Sequence, residues 1–270
     1  MRIGVCIILS KGVKESFKRM TDMGIYSCQL LCWDMSLYTD EMVELVKEAR
    51  EEYGVEISAL WAGWSGPIIW NFYDGPHTLG LVPPEYRASR LCELKRGSDF
   101  AEKLGVTDVI THVGYIPEVP TTTEYQSLIV ALKDLAGYMK KKGQYFLFET
   151  GQETPTTLLR TIEEVGTGNL GINLDPANLI LYGKANPVDA LDVFGKYVRN
   201  VHGKDGKYPT DGRHTGKETR MGDGKVNYPA FIARLKEIGY DGCITIEREI
   251  SGEDQIRDIL YAKELLESLF

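Results

Sequence analysis

The sequence predicts an α/β fold: a single (β/α)8 TIM barrel with a closed, parallel, eight-stranded sheet. Three observations carry this. Eight short apolar runs alternate with eight longer amphipathic ones, and parallel strands need such crossover helices. The chain has 270 residues, close to the roughly 250 of a typical barrel, so one domain over residues 1–270 is expected. No Gly-x-Gly-x-x-Gly follows the first strand, which places the open doubly wound sheet behind the barrel.

The elements follow in order. Residues 2–8 (RIGVCII) read as the first strand. They are not read as a secretory leader, because Gly4 interrupts the run and Ser10-Lys11-Gly12 follows without a small-residue cleavage pattern. A helix over 13–23, ended by Gly24, leads to a strand over 25–32. The helix over 40–53, ended by Gly54, leads to a strand over 55–61. Residues 62–83 form a connection too long and too aromatic to be a plain loop, and such loops are usually functional. The helix over 84–104 ends at Gly105 and is followed by a strand over 107–113. The helix over 122–142 starts from a capping box of Thr121 and Glu124, ends at Gly143 and leads to a strand over 144–150. The helix over 155–166 is entered through Thr154-Pro155, an N-cap with proline at the first helical position. Strands over 169–175, 197–203 and 242–248 alternate with helices over 187–196 and 228–238, the latter ended by Gly239. The last helix, 252–269, follows Ser251 and opens with Glu253-Asp254.

Composition narrows the function. Hydrophobic residues are 43% and charged residues 26%, ordinary for a globular protein able to bury a core. The net charge of −8 argues against a nucleic-acid partner. No apolar stretch approaches the roughly 18 residues of a membrane span, so no membrane partner is expected. The five cysteines are scattered without a Cys-x-x-Cys and read as buried thiols of a reducing compartment, which places the chain in the cytoplasm. A homo-oligomer is compatible with all of this.

In a barrel, catalytic residues sit where strands end. Here the fifth strand ends in Glu149, the sixth in Asp175, the seventh in His202 and the eighth in Glu247. Taken singly, each is more often a helix cap, a loop ion-pair partner or a satisfied core histidine, and Asp175-Pro176 looks like a turn. Together they put three carboxylates and one imidazole on one rim. Three buried carboxylates repel one another unless a cation joins them. The donor set suits one divalent ion, with Mn2+, Mg2+ or Co2+ favoured and Zn2+ a further candidate. Strand alternation turns the residues two positions earlier inward as well: Leu147, Asn173, Asn200 and Thr245. The polar ones among them are expected to brace the ligands from beneath.

Several segments carry a specific resemblance. Phe148-Glu149-Thr150, Asn173-Leu174-Asp175-Pro176-Ala177-Asn178, Val201-His202-Gly203-Lys204-Asp205, Gly222-Asp223-Gly224 and Thr245-Ile246-Glu247 resemble the xylose-isomerase-like barrel superfamily of sugar (phosphate) isomerases and epimerases. The resemblance spans essentially the whole chain and is strongest in its second half. It implies that Glu149, Asp175, His202 and Glu247 bind one metal and that Glu149 and Glu247 also move a proton between the two faces of a carbohydrate substrate. The implied chemistry is proton abstraction next to a metal-chelated carbonyl, through an enediolate. Two positions depart from the epimerase pattern. Asn178 stands where those enzymes carry a histidine, and the nearest second glutamate is Glu153, four residues after Glu149 instead of six.

Further substrate contacts are expected from His112, Asn178, Lys204, Asp205, Arg220 and Trp64. For each a plainer role stands beside this one: packing for His112, a loop ion pair for Asp205, a solvated surface for Arg220. Trp33, Trp61, Trp64 and Trp70 either wall a sugar pocket or fill the core. Proton return to the same carbon gives epimerisation, return to its neighbour gives isomerisation, and loss of a β-hydroxyl gives a dehydratase of the inosose or dehydroshikimate type. A metal-dependent endonuclease needs more histidines than four and a basic face. A catalytically silent sugar-binding protein has no need of the complete ligand set.

Overall fold

The computed structural model describes residues 1–270. In chain order the elements are β1 (Arg2–Ile8), α1 (Val13–Asp22), β2 (Ser27–Cys32), α2 (Asp40–Tyr53), β3 (Glu56–Ala62), α3 (Gly75–Thr78), α4 (Pro84–Lys103), β4 (Asp108–Thr111), α5 (Thr123–Lys140) and β5 (Tyr145–Glu149). They continue with α6 (Pro155–Val165), β6 (Leu170–Leu174), α7 (Pro176–Leu181), α8 (Pro187–Phe194), β7 (Val198–Gly203), β8 (Asp205–Lys207), β9 (Lys217–Thr219), α9 (Tyr228–Glu237), β10 (Cys243–Ile246) and α10 (Glu253–Leu269). β1 to β7 and β10 close into a parallel barrel, β10 pairing with both β7 and β1. β8 and β9 form a small antiparallel hairpin outside it.

Alternation along the strands sorts residues between two apolar layers. Leu60, Val109, Phe146 and Phe148 face outward into the large core beneath the helices. Trp61, Ile110 and Leu147 belong to a smaller cluster within the barrel. Glu149, two residues after Leu147, therefore points inward at the top of β5. Helix α1 buries Val13, Phe17 and Met20, one stripe at helical spacing, in contact with α2.

The helix signals mostly hold. Thr39 caps α2 and Thr154 caps α6, with Pro155 in its first turn. Gly24, Gly54, Gly105, Gly143 and Gly239 all have positive φ where a helix hands over to a strand. Two starts differ. The hydroxyl that accepts a bond at the start of α5 is that of Thr122, from Tyr125 N–H, and not that of Thr121. α10 follows Gly252 without a side-chain cap, so Ser251 does not serve as one.

Three elements lie where no regular structure is expected from the sequence. α7 continues directly from Asp175-Pro176, the hairpin β8–β9 follows β7, and α3 interrupts the long connection after β3. That connection presses on the end of β4. Leu81 N–H donates to Val113 C=O at 2.7 Å. A Cβ on Gly80 would sit 2.1 Å from that carbonyl, and one on Gly114 would sit 2.3 Å from Leu79 O. Only glycine permits this approach.

Candidate metal centre and active site

Glu149, Asp175, His202 and Glu247 come together, with one ligand atom from each lying within 4.8 Å of the others. Glu149 ends β5, Asp175 follows β6, His202 lies in β7 and Glu247 follows β10. His202 Nδ1 is at the centre, 3.3 Å from Glu149 Oε1, 3.2 Å from Glu247 Oε2 and 3.6 Å from Asp175 Oδ2. Asp175 does two things. Its Oδ1 accepts Asn178 N–H at 2.8 Å and so caps α7, while its Oδ2 accepts no hydrogen bond and lies 3.7 Å from Lys204 Nζ.

The imidazole is held from behind. His202 Nε2 lies 2.7 Å from Gln29 Oε1, and the Gln29 amide donates to Asn173 Oδ1 at 3.0 Å. An Nε2–H donor leaves the Nδ1 lone pair facing the carboxylates, and Nδ1 has no hydrogen-bond partner of its own. Of the residues expected to brace the ligands, Asn173 does so. Asn200 instead donates to Asp108 Oδ2 at 2.9 Å, beside Arg199, toward the N-terminal end of the barrel. Thr245 meets only Cys243, and Leu147 joins the apolar interior.

With no cation between them, the carboxylates favour a second proton on the imidazole, at Nδ1. Burial works against a charged His202, but Glu149 and Glu247 outweigh it and hold its pKa well above the ordinary value. Burial also opposes ionisation of Glu247 and Glu149. Lys204 and His202 nevertheless pull the first below the usual carboxylate range, and His112 and His202 pull the second. Asp175 is raised, chiefly by burial. A divalent cation fits this cluster on two structural grounds. It gives partners to two buried atoms that make no hydrogen bond, His202 Nδ1 and Asp175 Oδ2, and it answers three carboxylates that share one space.

Above the cluster lies a cavity of about 690 Å³. Glu149 and Glu247 line it, as do His112, Asn178 and Lys204. His112 Nε2 is 3.5 Å from Glu149 Oε1, and Asn178 Nδ2 is 3.4 Å from the same oxygen. Lys204 Nζ is 3.0 Å from Glu247 Oε2.

Three expected substrate contacts lie elsewhere. Trp64 is 2% exposed and packs against Trp61 and the Arg90 guanidinium, outside the cavity lining. Trp33, Trp61 and Trp70 form the wall instead. Arg220 is turned outward, paired with Asp223 at 3.1 Å and laid over Tyr261. Asp205 is buried, and its carboxylate accepts the backbone N–H groups of Gly206, Gly222, Gly224 and Val226, pinning the hairpin to the segment after it.

Three contacts lie outside the sequence expectations, those of Gln29, Trp61 and Arg90. Gln29 is the one amide in an apolar run (IYSCQLLC), which was a legible signal. The Trp61 indole N–H donates to Glu149 Oε2, a contact nothing in the sequence marks. Arg90 from α4 gathers the carbonyls of Ser65, Pro67, Thr78 and Gly80, the two ends of the long connection. Glu153 is buried outside the cavity lining with one oxygen unpartnered, and burial pushes its carboxyl up to about 8.

The family model for the xylose isomerase-like TIM barrel matches residues 17–269. The chain belongs to this family. Among solved structures, a xylose isomerase domain protein from Planctomyces limnophilus is 35% identical, with 99% of this chain and 95% of that one covered and a TM-score of 0.91. A D-tagatose 3-epimerase-like protein is 24% identical over 100% of this chain and 97% of its own, at a TM-score of 0.75, and supports the fold. An inosose dehydratase of Lacticaseibacillus casei is 23% identical over 261 residues, 78% of this chain and 86% of that protein. Within the xylose isomerase-like barrel, the closed parallel sheet is thus the shared frame.

Proposed function

We propose that this xylose isomerase-like barrel is a divalent-metal-dependent isomerase or epimerase of a small sugar or ketose. The observation that carries the reading is the double membership of Glu149 and Glu247. Both belong to the ligand cluster and both line the cavity, whereas Asp175 and His202 lie beneath, outside its lining. Two carboxylates that face substrate from β5 and β10 are placed to serve opposite sides of one carbon. The names of two relatives, a D-tagatose 3-epimerase-like protein and an inosose dehydratase, point to the same class of polyol carbonyl chemistry.

Glu149, Asp175, His202 and Glu247 would hold the metal, which when bound supplies Lewis-acid polarisation of a carbonyl and its neighbouring hydroxyl. The rest is the work of the chain. Trp61 holds one oxygen of Glu149 and Lys204 one oxygen of Glu247, so each carboxylate is fixed while it takes or returns a proton. His112 and Asn178 stand beside Glu149, within reach of substrate hydroxyls. The tryptophan wall excludes water from the reacting carbon.

The test is hydrogen exchange. In D2O, the metal-loaded enzyme is expected to place deuterium next to the carbonyl of a ketose it turns over, as read by NMR. Glu149→Gln and Glu247→Gln are each expected to lower turnover by about 10²–10⁴-fold with metal content verified. Near wild-type turnover in either variant would refute the two-base scheme. A dehydratase is favoured by one observation: His112 lines the cavity with its Nε2 3.5 Å from Glu149 Oε1, placed to pass a proton to a leaving hydroxyl. A product lighter by one water would select it.

A further inference from the structure

No cation in the cavity wall is free. Lys204 Nζ lies 3.0 Å from Glu247 and 2.6 Å from Glu249. Arg248 is held between Glu218 at 3.0 Å and Asp258 at 2.9 Å. The lining itself carries Glu149, Glu247 and Glu249 against Lys204 and Arg248, and Asp175 lies just beneath. A phosphate or carboxylate entering here finds no unshared guanidinium or ammonium to receive it.

The cavity is also larger than one sugar ring requires. Its volume of about 690 Å³ lies within the range of sites that hold drug-sized ligands. The wall contains a corner made by two indoles. Trp33 is 37% exposed and Trp70 is 39% exposed, with centroids 6.5 Å apart and planes at 83°. Aromatic surface left open beside a polar site is unusual unless a ligand covers it. The corner is rigidly tied to the carboxylates. Trp33 packs on Trp61 at 4.6 Å, and Trp61 donates to Glu149. Trp70 packs on His112 at 5.2 Å. At the rim, Ile8 is 67% exposed, extending the apolar surface outward.

We propose that the substrate is an uncharged two-ring sugar, a disaccharide or glycoside whose carbonyl-bearing unit lies at Glu149 and Glu247 and whose second ring sits in the corner of Trp33 and Trp70. The assignment of the reacting unit rests on the isomerase or epimerase reading. The choice of an uncharged, extended ligand rests on the wall alone.

The probes are D-fructose, D-fructose 6-phosphate and isomaltulose, a glucosyl-fructose with a free ketose unit. Their dissociation constants are measured on the metal-loaded enzyme by calorimetry. Isomaltulose is expected to bind about tenfold more tightly than D-fructose, the gain of one well-packed aromatic contact, and the phosphate no more tightly than D-fructose. Trp33→Ala and Trp70→Ala are each expected to shrink the isomaltulose-to-fructose ratio severalfold. Trp33→Tyr and Trp70→Tyr keep a ring, guard against misfolding and are expected to retain part of it. Tighter binding of the phosphate, or no preference for isomaltulose, overturns the proposal. So does a preference that survives both alanine variants. A change of oligomeric mass in those variants with the ratio intact overturns it too, by assigning the corner to a contact between copies. Deuterium exchange in the same sugars is scored separately: its absence with the binding order kept refutes the proton-transfer reading and leaves this one standing.

Discussion

A metal ligand is only as good as the groups that aim it, and His202 shows how this chain aims one. At Nε2 the ring meets Gln29 Oε1 at 2.7 Å and Asn173 Nδ2 at 3.0 Å, and Asn173 also orients Gln29. Loss of such support typically weakens metal binding about 10–100-fold. Asn173→Leu is therefore expected to lower metal affinity by that factor in a calorimetric titration while the barrel stays folded. Asn200→Leu serves as the contrast. Asn200 bonds Asp108 and touches no ligand, so its loss is expected to cost about 1–3 kcal/mol of stability and leave metal affinity unchanged. Equal losses of affinity in the two variants would show that the bracing does not run through Asn173. Both asparagines were legible as inward-facing from strand alternation. Which of them reaches the ligand was not, because that depends on the tilt of the barrel and on the irregular register between Ile172 and Asn173.

At the scale of elements, legibility followed the strength of local signals. The eight barrel strands lie on the apolar runs, five of them entered from the helix-ending glycines Gly24, Gly54, Gly105, Gly143 and Gly239, and the four ligands lie at strand ends. α7 escaped because its six residues are too few for a helical period to show, and all of them are buried, so no polar face marks it. The hairpin escaped because its strands are three residues each and are held by the carboxylate of Asp205, not by an apolar face. The connection over 62–83 was legible as long and aromatic, but its fastening was not. Arg90 lies in the next helix, 10 to 25 residues from its four partners, and backbone carbonyls carry no side-chain signature. Burial pulls its guanidinium down to about 10, which still leaves it charged at neutral pH. Arg90→Met keeps bulk beside Trp64 and Tyr86 but removes every donor. It is expected to cost about 3 kcal/mol in chemical denaturation, the scale of hydrogen bonds made by a buried charged group. Because the same connection carries Trp70, the KM for sugar is expected to rise as well. An unchanged denaturation midpoint would mean that the connection is held by other contacts.

For the molecule as a whole, the buried charge of Asp175 opposes folding, whereas Lys204 and the histidines answer Glu247 and Glu149. Glu149, Asp175 and Glu247 bring three carboxylates into one buried space, and burial raises Asp175 because its ion is costly there. A cation that binds only the folded chain stabilises it by about 2.7 kcal/mol at one hundred times its Kd. For a chain of this size that corresponds to a rise in Tm of roughly 5–10 °C on adding Mn2+ to protein stripped with a chelator. Asp175→Asn separates the two sides of this balance. The amide oxygen still accepts Asn178 N–H and caps α7, while the buried negative charge is gone. The stripped variant is therefore expected to melt at or above the stripped wild type, and to gain little from Mn2+. The sign reverses between the two conditions, which a simple packing defect at position 175 does not produce. If the variant melted well below wild type without metal, the charge of Asp175 would not oppose folding. If it gained as much from Mn2+ as the wild type, the cation would be binding somewhere other than between β5, β6, β7 and β10.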